Sequence, residues 1–289
     1  MDITLLGTGC PIANPDRYGA GNLIRAGEQT FLVDVGSGVT QRLLEAGANS
    51  AEIDALFITH MHSDHLVDLY QLLMSSFHQS RDVPHRIFGP PGIRKFTDGL
   101  MELWREEREM RIKHEKRASN AAFDLEVTEF EEGVIWDTGG VRVSAVRVEH
   151  APIRHAFGFV FESGGQKVAF SGDTKYCDAL IDAAQGADAL IHEVFVHVDS
   201  MPLVGARTAA GRASVASYHT VSDQVGKVAA ESKAKCLILN HFVPPSFDRD
   251  FLLDTVRADF AGPIIIGEDL MNFDIAKRRL THRNGVIGY

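Results

Sequence analysis

The chain has few cysteines and no long apolar segment. Three of its 289 residues are cysteine, Cys10, Cys177 and Cys236; they lie far apart and form no C-x-x-C pair. An odd number of dispersed cysteines argues against a disulfide framework and predicts a reduced, cytoplasmic protein. No run reaches the ~18 apolar residues of a membrane helix, and no basic and apolar leader begins the chain. We therefore expect neither a membrane span nor a signal peptide.

Basic residues are also in short supply. The chain has 29 lysines and arginines against 39 aspartates and glutamates, a formal net charge of −10. Proteins that hold a nucleic-acid backbone usually present a basic face, because phosphate contacts dominate that affinity. We therefore expect a small-molecule substrate and disfavour nucleic acid as a partner, although a local basic patch is compatible with this charge.

The remaining composition is that of an ordinary soluble enzyme. Hydrophobic residues make up 45% of the chain and charged residues 24%, which is typical of a globular domain. The length exceeds the ~150 residues of a typical domain, but single domains of ~200–250 residues with two sheets are common. We therefore expect one domain over residues 1–289.

One short segment, residues 59–65, is dense in metal-binding side chains. It follows the apolar run 55–58, which is typical of a buried strand, and it precedes a helical pattern. Its three imidazoles and one carboxylate belong to His60, His62, Asp64 and His65. These ligand types suit zinc, with manganese or iron as alternatives. The segment therefore predicts a divalent metal site; a histidine-rich surface loop, the alternative, does not account for the apolar runs on both sides.

Four later apolar segments, each typical of a strand, lead into an ionisable residue. These residues are His150, Asp173, Glu193 and His241. Functional groups of layered α/β proteins gather at strand ends, so we expect these side chains to meet the histidine segment. Taken singly each would be structural, but together they predict a completed metal site. Asp34, at the end of an earlier strand, is expected either to hold a ligand imidazole by its second nitrogen or to cap the following helix.

These motifs together resemble the metallo-β-lactamase fold superfamily, and within it the ribonuclease Z and arylsulfatase-like branch. The matching motifs are L-G-T-G-C-P at 6–11, P-D-R at 15–17, H-x-H-x-D-H at 60–65, G-P-P-G at 89–92, S-G-D-T at 171–174 and H-T at 219–220, with His150, His192, Glu193 and His241. The resemblance implies an α/β fold, an αββα sandwich of two mixed β-sheets flanked by helices.

The resemblance also implies a centre of two zinc ions, with manganese or iron as substitutes. The first ion would be bound by His60, His62 and His150, the second by Asp64, His65 and His241, and both by Asp173. Two metals ~3.5–4 Å apart generate a nucleophile at neutral pH and polarise the bond to be cleaved. A zinc-dependent hydrolase acting on ester bonds is therefore the expected enzyme.

Three residues are expected to act in catalysis. Asp64 would orient the nucleophile with its free oxygen. Glu193 and His219 resemble the Glu/His couple of ribonuclease Z-type phosphodiesterases. A carboxylate beside an imidazole raises the imidazole pKa, so His219 could donate a proton to the leaving oxygen. A structural role at the start of a helix is the alternative for His219.

The chain departs from the tRNA-processing members of the branch between His150 and Asp173. Where those enzymes carry a long arm, residues 151–172 leave room for a turn and a hairpin only. We therefore place first the hydrolysis of a small-molecule ester, namely a phosphodiester, an aryl sulfate, or a carboxylic ester or lactone. The alternatives are a tRNA 3′-processing endonuclease and a di-iron redox protein.

Two segments outside the site have open interpretations. The helical, highly charged pattern over residues 93–117 is either a solvated insertion or a cap or dimer arm, and a homodimer is expected from the branch. Residues 198–217 lack periodicity and are either a lid over the cleft or a linker.

Overall fold

The computed structural model describes residues 1–196, 208–283 and 285–289. Its strands are β1 (Asp2–Gly7), β2 (Gly21–Ala26), β3 (Gln29–Val33), β4 (Ala55–Phe57), β5 (His85–Gly89), β6 (Leu125–Glu129), β7 (Gly133–Thr138), β8 (Val141–Arg147), β9 (Phe157–Ser163), β10 (Gln166–Phe170), β11 (Ala189–Phe195), β12 (Leu237–Val243), β13 (Ile264–Ile266), β14 (Asn272–Asp274), β15 (Arg279–His282) and β16 (Gly285–Gly288). Its helices are α1 (Val39–Glu45), α2 (Leu69–His78), α3 (Ile93–Leu103), α4 (Arg105–Glu115), α5 (Asp178–Ala183), α6 (Ala209–Ala216), α7 (Ser222–Glu231) and α8 (Arg249–Arg257).

The strands form two mixed sheets. The first sheet has the order β16-β15-β14-β1-β2-β3-β4-β5-β6, and the second has the order β13-β12-β11-β10-β9-β8-β7. Strands β3 to β6 are parallel in the first sheet, as are β10 to β13 in the second. Parallel neighbours need crossover connections, which place helices on the outer faces of the sheets. The predicted αββα sandwich is confirmed.

Apolar packing holds the layers together in three places. Between the sheets, the Phe31 ring lies with its centroid 5.8 Å from that of Phe161 and 5.4 Å from that of Trp136. Outside them, α1 and α2 pack on the first sheet, and α7 and α8 on the second. Burying one large apolar side chain contributes about 1.5–3 kcal/mol. This packing therefore fixes the position of one sheet against the other, and with it the edge where the metal-binding residues meet.

The charged segment after residue 93 differs from the continuous helix that its pattern predicts. It forms two helices, α3 and α4, which meet at Trp104, where φ is −103° and ψ is 15°. The Trp104 ring stacks on Tyr70 with the ring centroids 4.9 Å apart. No residue of α4 is buried, so its charged side chains form a solvated face. Within the described ranges, no helix is both long and apolar enough to cross a membrane.

The first half of the predicted lid 198–217, residues 198–207, lies outside the described residues. The described part begins at Thr208, whose side chain caps α6. Val215 and Ala216 at the end of α6 pack against Cys10 and Val243. This end of the segment therefore lies beside the loop that follows β1, and the lid itself stays a prediction.

Candidate metal centre

Three of the predicted imidazoles, those of His60, His62 and His150, converge at one point and are called the histidine set below. His60 and His62 follow β4 of the first sheet, and His150 follows β8 of the second. Nε2 of His60 lies 2.9 Å from Nδ1 of His62, and the same Nδ1 lies 3.2 Å from Nε2 of His150. Ring nitrogens that face each other at this spacing form a group that could hold one cation.

A second group, Asp64, His65 and His241, lies beside the first and is called the mixed set. Asp64 and His65 belong to a 3₁₀ turn, whereas His241 lies in β12. Oδ2 of Asp64 is 3.3 Å from Nε2 of His241 and 3.6 Å from Nε2 of His65. Two imidazoles and one carboxylate form a second group that could hold a divalent cation.

Asp173 lies between the two sets. Its Oδ2 is 3.8 Å from Nε2 of His60 and 3.9 Å from Nε2 of His150. The same oxygen is 3.5 Å from Nε2 of His65 and 3.6 Å from Nε2 of His241. Similar distances to both sets are what a carboxylate shared by two cations requires. The structure thus brings together all seven side chains that were expected to bind metal.

A β-bulge aims His241 at the mixed set. Where β11 pairs with β12, Glu193 is opposite Asn240 and Val194 is opposite Phe242, so His241 is the extra residue. Its φ of 41° is in the left-handed region, which residues with a Cβ seldom adopt. Oδ1 of Asn240 accepts a hydrogen bond from the backbone N–H of His241 at 2.8 Å. The sequence pattern had suggested that His241 follows the end of a strand. In the structure it lies within the strand.

Hydrogen bonds behind two of the imidazoles determine which ring nitrogen faces the centre. Oδ2 of Asp34 accepts from Nδ1 of His65 and from the Thr59 hydroxyl, each at 2.8 Å. Because that hydroxyl donates to Asp34, its oxygen accepts from Nδ1 of His60 at 3.0 Å. A protonated Nδ1 leaves a free lone pair on Nε2, the atom directed at the centre. Asp34 thus holds a ligand imidazole, as expected, while α1 begins without a side-chain cap.

His150 is held in the same way by Tyr218, a residue that sequence reasoning missed. The backbone carbonyl of Tyr218 accepts from Nδ1 of His150 at 2.8 Å, which leaves the lone pair on Nε2. The Tyr218 ring packs edge-on against His150 with the centroids 5.1 Å apart. A backbone acceptor leaves no trace in residue type, and the one available signal was an aromatic residue directly before His219.

Burial and charge favour the metal-binding protonation states of His60, His150 and Asp173. Burial lowers the pKa of His60 well below its usual range, and it lowers the pKa of His150 to about 4. Burial acts in the opposite sense on Asp173, but the imidazoles of His241 and His65 outweigh it and lower the pKa of this carboxyl well below its usual value. Neutral imidazoles and an ionised carboxylate are the forms that divalent metals bind. In the mixed set, burial lowers the pKa of His65 and of His241, but the Asp173 carboxylate outweighs it and raises both, so a cation there would displace protons.

The donor atoms fit divalent cations. Nε2 of His65 is buried and has no hydrogen-bond partner in the described part of the chain. Leaving a buried polar atom unpaired costs about 1–3 kcal/mol, and a cation at this point would satisfy it. In the histidine set, Nε2 of His60 and Nε2 of His150 both face Nδ1 of His62, which can donate a proton to only one of them. Imidazole and carboxylate donors accept zinc, manganese or iron.

Glu193 and His219 lie beside the two sets and bind each other. Oε1 of Glu193 is 2.8 Å from Nδ1 of His219 and accepts from the backbone N–H of Thr174 at 2.8 Å. Burial lowers the pKa of His219, but the Glu193 carboxylate outweighs this effect and raises it to about 9. The protonated His219 ring lies with its centroid 5.1 Å from that of His150 and 6.0 Å from that of His241. A proton donor therefore stands next to both sets.

An open cleft of about 550 Å³ adjoins the centre. Its walls are formed by residues of the loop 10–19 after β1, and by Ser63, Asp64 and Val67. Because Asp64 belongs both to the mixed set and to the cleft wall, a molecule in this cleft reaches the centre directly. Two motifs of the family resemblance fall in this loop or begin it, at 6–11 and 15–17, but the sequence assigned no role to any residue there.

Comparison with known proteins finds a matching family and relatives that align with nearly the whole chain. A family model described as Anti-Pycsar protein Apyc1 matches residues 1–203. Ribonuclease Z of Mycobacterium marinum is 33% identical over 285 residues, which is 96% of this chain and 100% of that protein. Ribonuclease Z of Mycobacterium tuberculosis is 33% identical over 282 residues, again 96% of this chain and 100% of that protein.

Solved structures share the same architecture. The crystal structure of human tRNase Z, short form, superposes with a TM-score of 0.71 at 25% identity, covering 95% of this chain and 99% of that one. The metallo-β-lactamase fold protein YhfI from Bacillus subtilis superposes with a TM-score of 0.74 at 20% identity, covering 94% of this chain and 98% of that one. The second likeness concerns the fold alone.

The expectation of a small-molecule substrate, with nucleic acid disfavoured, is wrong. Relatives that match nearly the whole chain are named as ribonuclease Z and tRNase Z. The net charge misled because it sums the whole chain, including buried carboxylates such as Asp173, whereas RNA affinity depends on local basic groups. The interval 151–172 is indeed a turn followed by the β9–β10 hairpin. It does not separate this chain from ribonuclease Z proteins that align over their entire length.

Fold, ligand positions and full-length identity lead to one classification. The two mixed sheets and the convergent histidines and aspartates agree with the motifs read from the sequence. The chain belongs to the ribonuclease Z branch of the metallo-β-lactamase fold superfamily, and to the family described as Anti-Pycsar protein Apyc1.

Proposed function

We propose that the chain is a metal-dependent endonuclease of the ribonuclease Z type, which hydrolyses a phosphodiester bond near the 3′ end of a tRNA-like RNA. The observation that carries this proposal is the position of Asp173 Oδ2 between the two sets of donor atoms. Two cations that share a ligand can act on one phosphate group together. Full-length similarity to ribonuclease Z supports RNA as the source of that phosphate.

The histidine set would hold one zinc ion and the mixed set the other, with Asp173 bound to both. Two such ions supply stabilisation of developing negative charge and a nucleophile from water at neutral pH. The chain's own contribution is orientation. Asp34 holds His65, and the Thr59 hydroxyl, which donates to Asp34, holds His60. The Tyr218 carbonyl holds His150. Each contact favours the tautomer that metal binding requires.

Three side chains would act on the substrate itself. Asp64, at the wall of the cleft, would orient the attacking water with a carboxylate oxygen. His219 would donate its proton to the leaving ribose oxygen, which is too basic to depart as an anion at neutral pH. Glu193 would keep His219 protonated through the 2.8 Å contact with Nδ1. The acid and the water-orienting carboxylate would thus serve opposite ends of the scissile bond.

The test measures metal content and RNA cleavage on one preparation. Metal-loaded protein is incubated with a labelled hairpin RNA that carries a 3′ extension and, separately, with bis(p-nitrophenyl) phosphate. We expect about two zinc ions per chain, and cleavage of the RNA at one position that a chelator abolishes and zinc restores.

Two results would decide against this proposal. If fully loaded protein hydrolyses bis(p-nitrophenyl) phosphate rapidly but leaves the RNA intact, RNA is not the substrate. The protein would still be a metal-dependent hydrolase. Two bound irons with a reversible redox spectrum and no hydrolysis of either substrate would favour the di-iron alternative.

A further inference from the structure

A second cavity, of about 600 Å³, lies on the far side of the loop that lines the cleft. The two spaces share Asn14, Pro15 and Arg17 as a common wall. The far cavity, called the arginine cavity below, is also lined by Arg42, Arg249 and Arg283. It comes from parts of the chain that are distant in sequence, namely the first loop, α1, the start of α8 and the turn after β15. Nothing in the catalytic proposal uses it.

Cations are in excess in the arginine cavity. Four guanidinium groups and the His282 imidazole line it together with three carboxylates, those of Asp16, Glu268 and Asp269. Most of the accepting capacity of Asp269 is taken up by the backbone N–H and hydroxyl of Thr8 and by the backbone N–H of Tyr18. Arg42 is paired with Glu45 at 2.6 Å and Arg249 with Glu268 at 2.7 Å, so the excess of positive charge comes from the other two arginines.

Two of these arginines have no carboxylate within ion-pairing distance in the described ranges. Arg17 is only 9% exposed, and its Nη1 donates to neutral acceptors, the Thr8 hydroxyl at 2.6 Å and the Gly267 carbonyl at 2.8 Å. Its guanidinium lies 4.2 Å from the centroid of the Phe242 ring, which offsets part of the cost of burial. Arg283 is exposed. Arg17 is linked to the Asp269 carboxylate only through the Thr8 hydroxyl, so an anion in direct contact with its guanidinium would be stabilised.

We propose that the arginine cavity binds backbone phosphates of the RNA strand whose scissile bond lies at the metal centre. This inference rests on the proposed function. The planar guanidinium group matches a phosphate with paired N–H donors. Because the cavity and the cleft share a wall, one strand could occupy both. A polyanion is favoured over a single small anion because several arginines are spread along the cavity, and each phosphate engaged adds to counterion release.

The test removes two exposed arginines that play no part in catalysis. The double variant Arg249→Gln/Arg283→Gln is compared with Arg142→Gln/Arg279→Gln, which removes the same charge from exposed strand arginines outside the cavity. Binding of a labelled single-stranded RNA of about twenty nucleotides to the metal-loaded protein is followed by fluorescence anisotropy over a series of KCl concentrations. Hydrolysis of bis(p-nitrophenyl) phosphate reports separately on the metal centre.

The cavity variant should weaken RNA binding by about tenfold and lower the slope of log K against log[KCl] by about 1.4, that is, ~0.7 for each lost phosphate contact. Its kcat/KM for bis(p-nitrophenyl) phosphate should match that of the parent protein. Glu268→Gln should have the opposite effect and strengthen RNA binding by about two- to fourfold, since it frees Arg249 from its 2.7 Å ion pair. A merely structural role for these residues would not raise affinity.

Equal RNA affinity and salt slope in the cavity and control variants, or weaker binding by Glu268→Gln, would overturn the inference. The proposed function fails in a different way. If the parent protein binds RNA with the expected dependence on the arginine cavity but does not cleave it, the endonuclease proposal is lost and the binding site stands. If the cavity variant cleaves RNA with unchanged kinetics, the endonuclease proposal stands and the binding site is lost.

Discussion

Two of the ligand imidazoles, those of His150 and His65, are oriented by different kinds of group. In the histidine set, His150 is oriented by a backbone carbonyl, that of Tyr218. In the mixed set, Nδ1 of His65 is held by the Asp34 carboxylate, and the backbone N–H of His241 donates to the side-chain oxygen of Asn240. A carbonyl survives every side-chain substitution, whereas a carboxylate or an amide does not. Single substitutions should therefore loosen the mixed set more readily than they loosen His150.

The largest effect should come from removing Asp173, whose carboxylate oxygen lies between the two sets and acts on both alike. Asp173→Ala takes one ligand atom from each set at once. We expect kcat/KM on RNA and on bis(p-nitrophenyl) phosphate to fall by about a thousandfold or more, since several kcal/mol of transition-state stabilisation depend on the metals. Initial rates and metal analysis check this. His78→Ala, which alters an exposed histidine of α2, should change neither quantity, and a fully loaded, active Asp173→Ala protein would contradict the shared position.

The next largest effect should come from a residue that neither set needs. His219→Ala removes the proton donor beside the centre, so kcat on RNA should fall by about 10²–10⁴-fold while both metals stay bound. The loss on bis(p-nitrophenyl) phosphate should be much smaller, because nitrophenolate leaves without a proton. Steady-state kinetics on the two substrates provide the measurement. Equal losses on both would remove the proton-donor role and leave His219 as a structural residue.

The metal-binding side chains could be read from the sequence more completely than their supports. His60, His62, Asp64 and His65 are recognisable because their residue types bind metal and because a buried apolar strand delivers them to one sheet edge. The bulge at His241 was not predictable, since it depends on the register between β11 and β12, which neither strand's own sequence contains. The backbone support from Tyr218 was invisible for a similar reason.

Other parts of the fold lacked a signal of sufficient length. Strands β13 to β16 have three or four residues each, too few for an alternating pattern to be distinguished from chance. The break at Trp104 was missed because apolar and charged residues continue at helical spacing on both sides of it. Nucleic acid was disfavoured because charge was counted over the whole chain, whereas the arginine cavity draws its cations from loops and element ends scattered along it.

Asp34→Asn tests how far metal binding depends on the side chain that holds His65. Asparagine keeps the shape and tolerates the left-handed φ of 61° at this position. Its carbonyl oxygen can replace Oδ2, which accepts from Nδ1 of His65 and the Thr59 hydroxyl, but its NH2 group then faces the backbone N–H of Thr59, from which Oδ1 of the carboxylate accepts at 2.8 Å. We expect metal affinity to fall by about 10–100-fold, measured by competition with a coloured chelator. Asp137→Asn, at an exposed aspartate of β7, is the matched control, and unchanged affinity in Asp34→Asn would show that the carboxylate is dispensable.

Tyr218→Leu tests whether the backbone carbonyl of Tyr218 is enough to hold His150, and it should have the smallest effect. The substitution leaves the carbonyl that accepts from His150 and removes only the edge contact of a half-buried ring. Metal affinity should therefore change by about threefold or less, the low end of the ~0.5–1.5 kcal/mol that an aromatic contact contributes. The same chelator competition gives the number. If Tyr218→Leu instead lowered metal affinity as much as Asp34→Asn does, the Tyr218 ring and not its carbonyl would orient His150. His150 and His65 would then both depend on side chains.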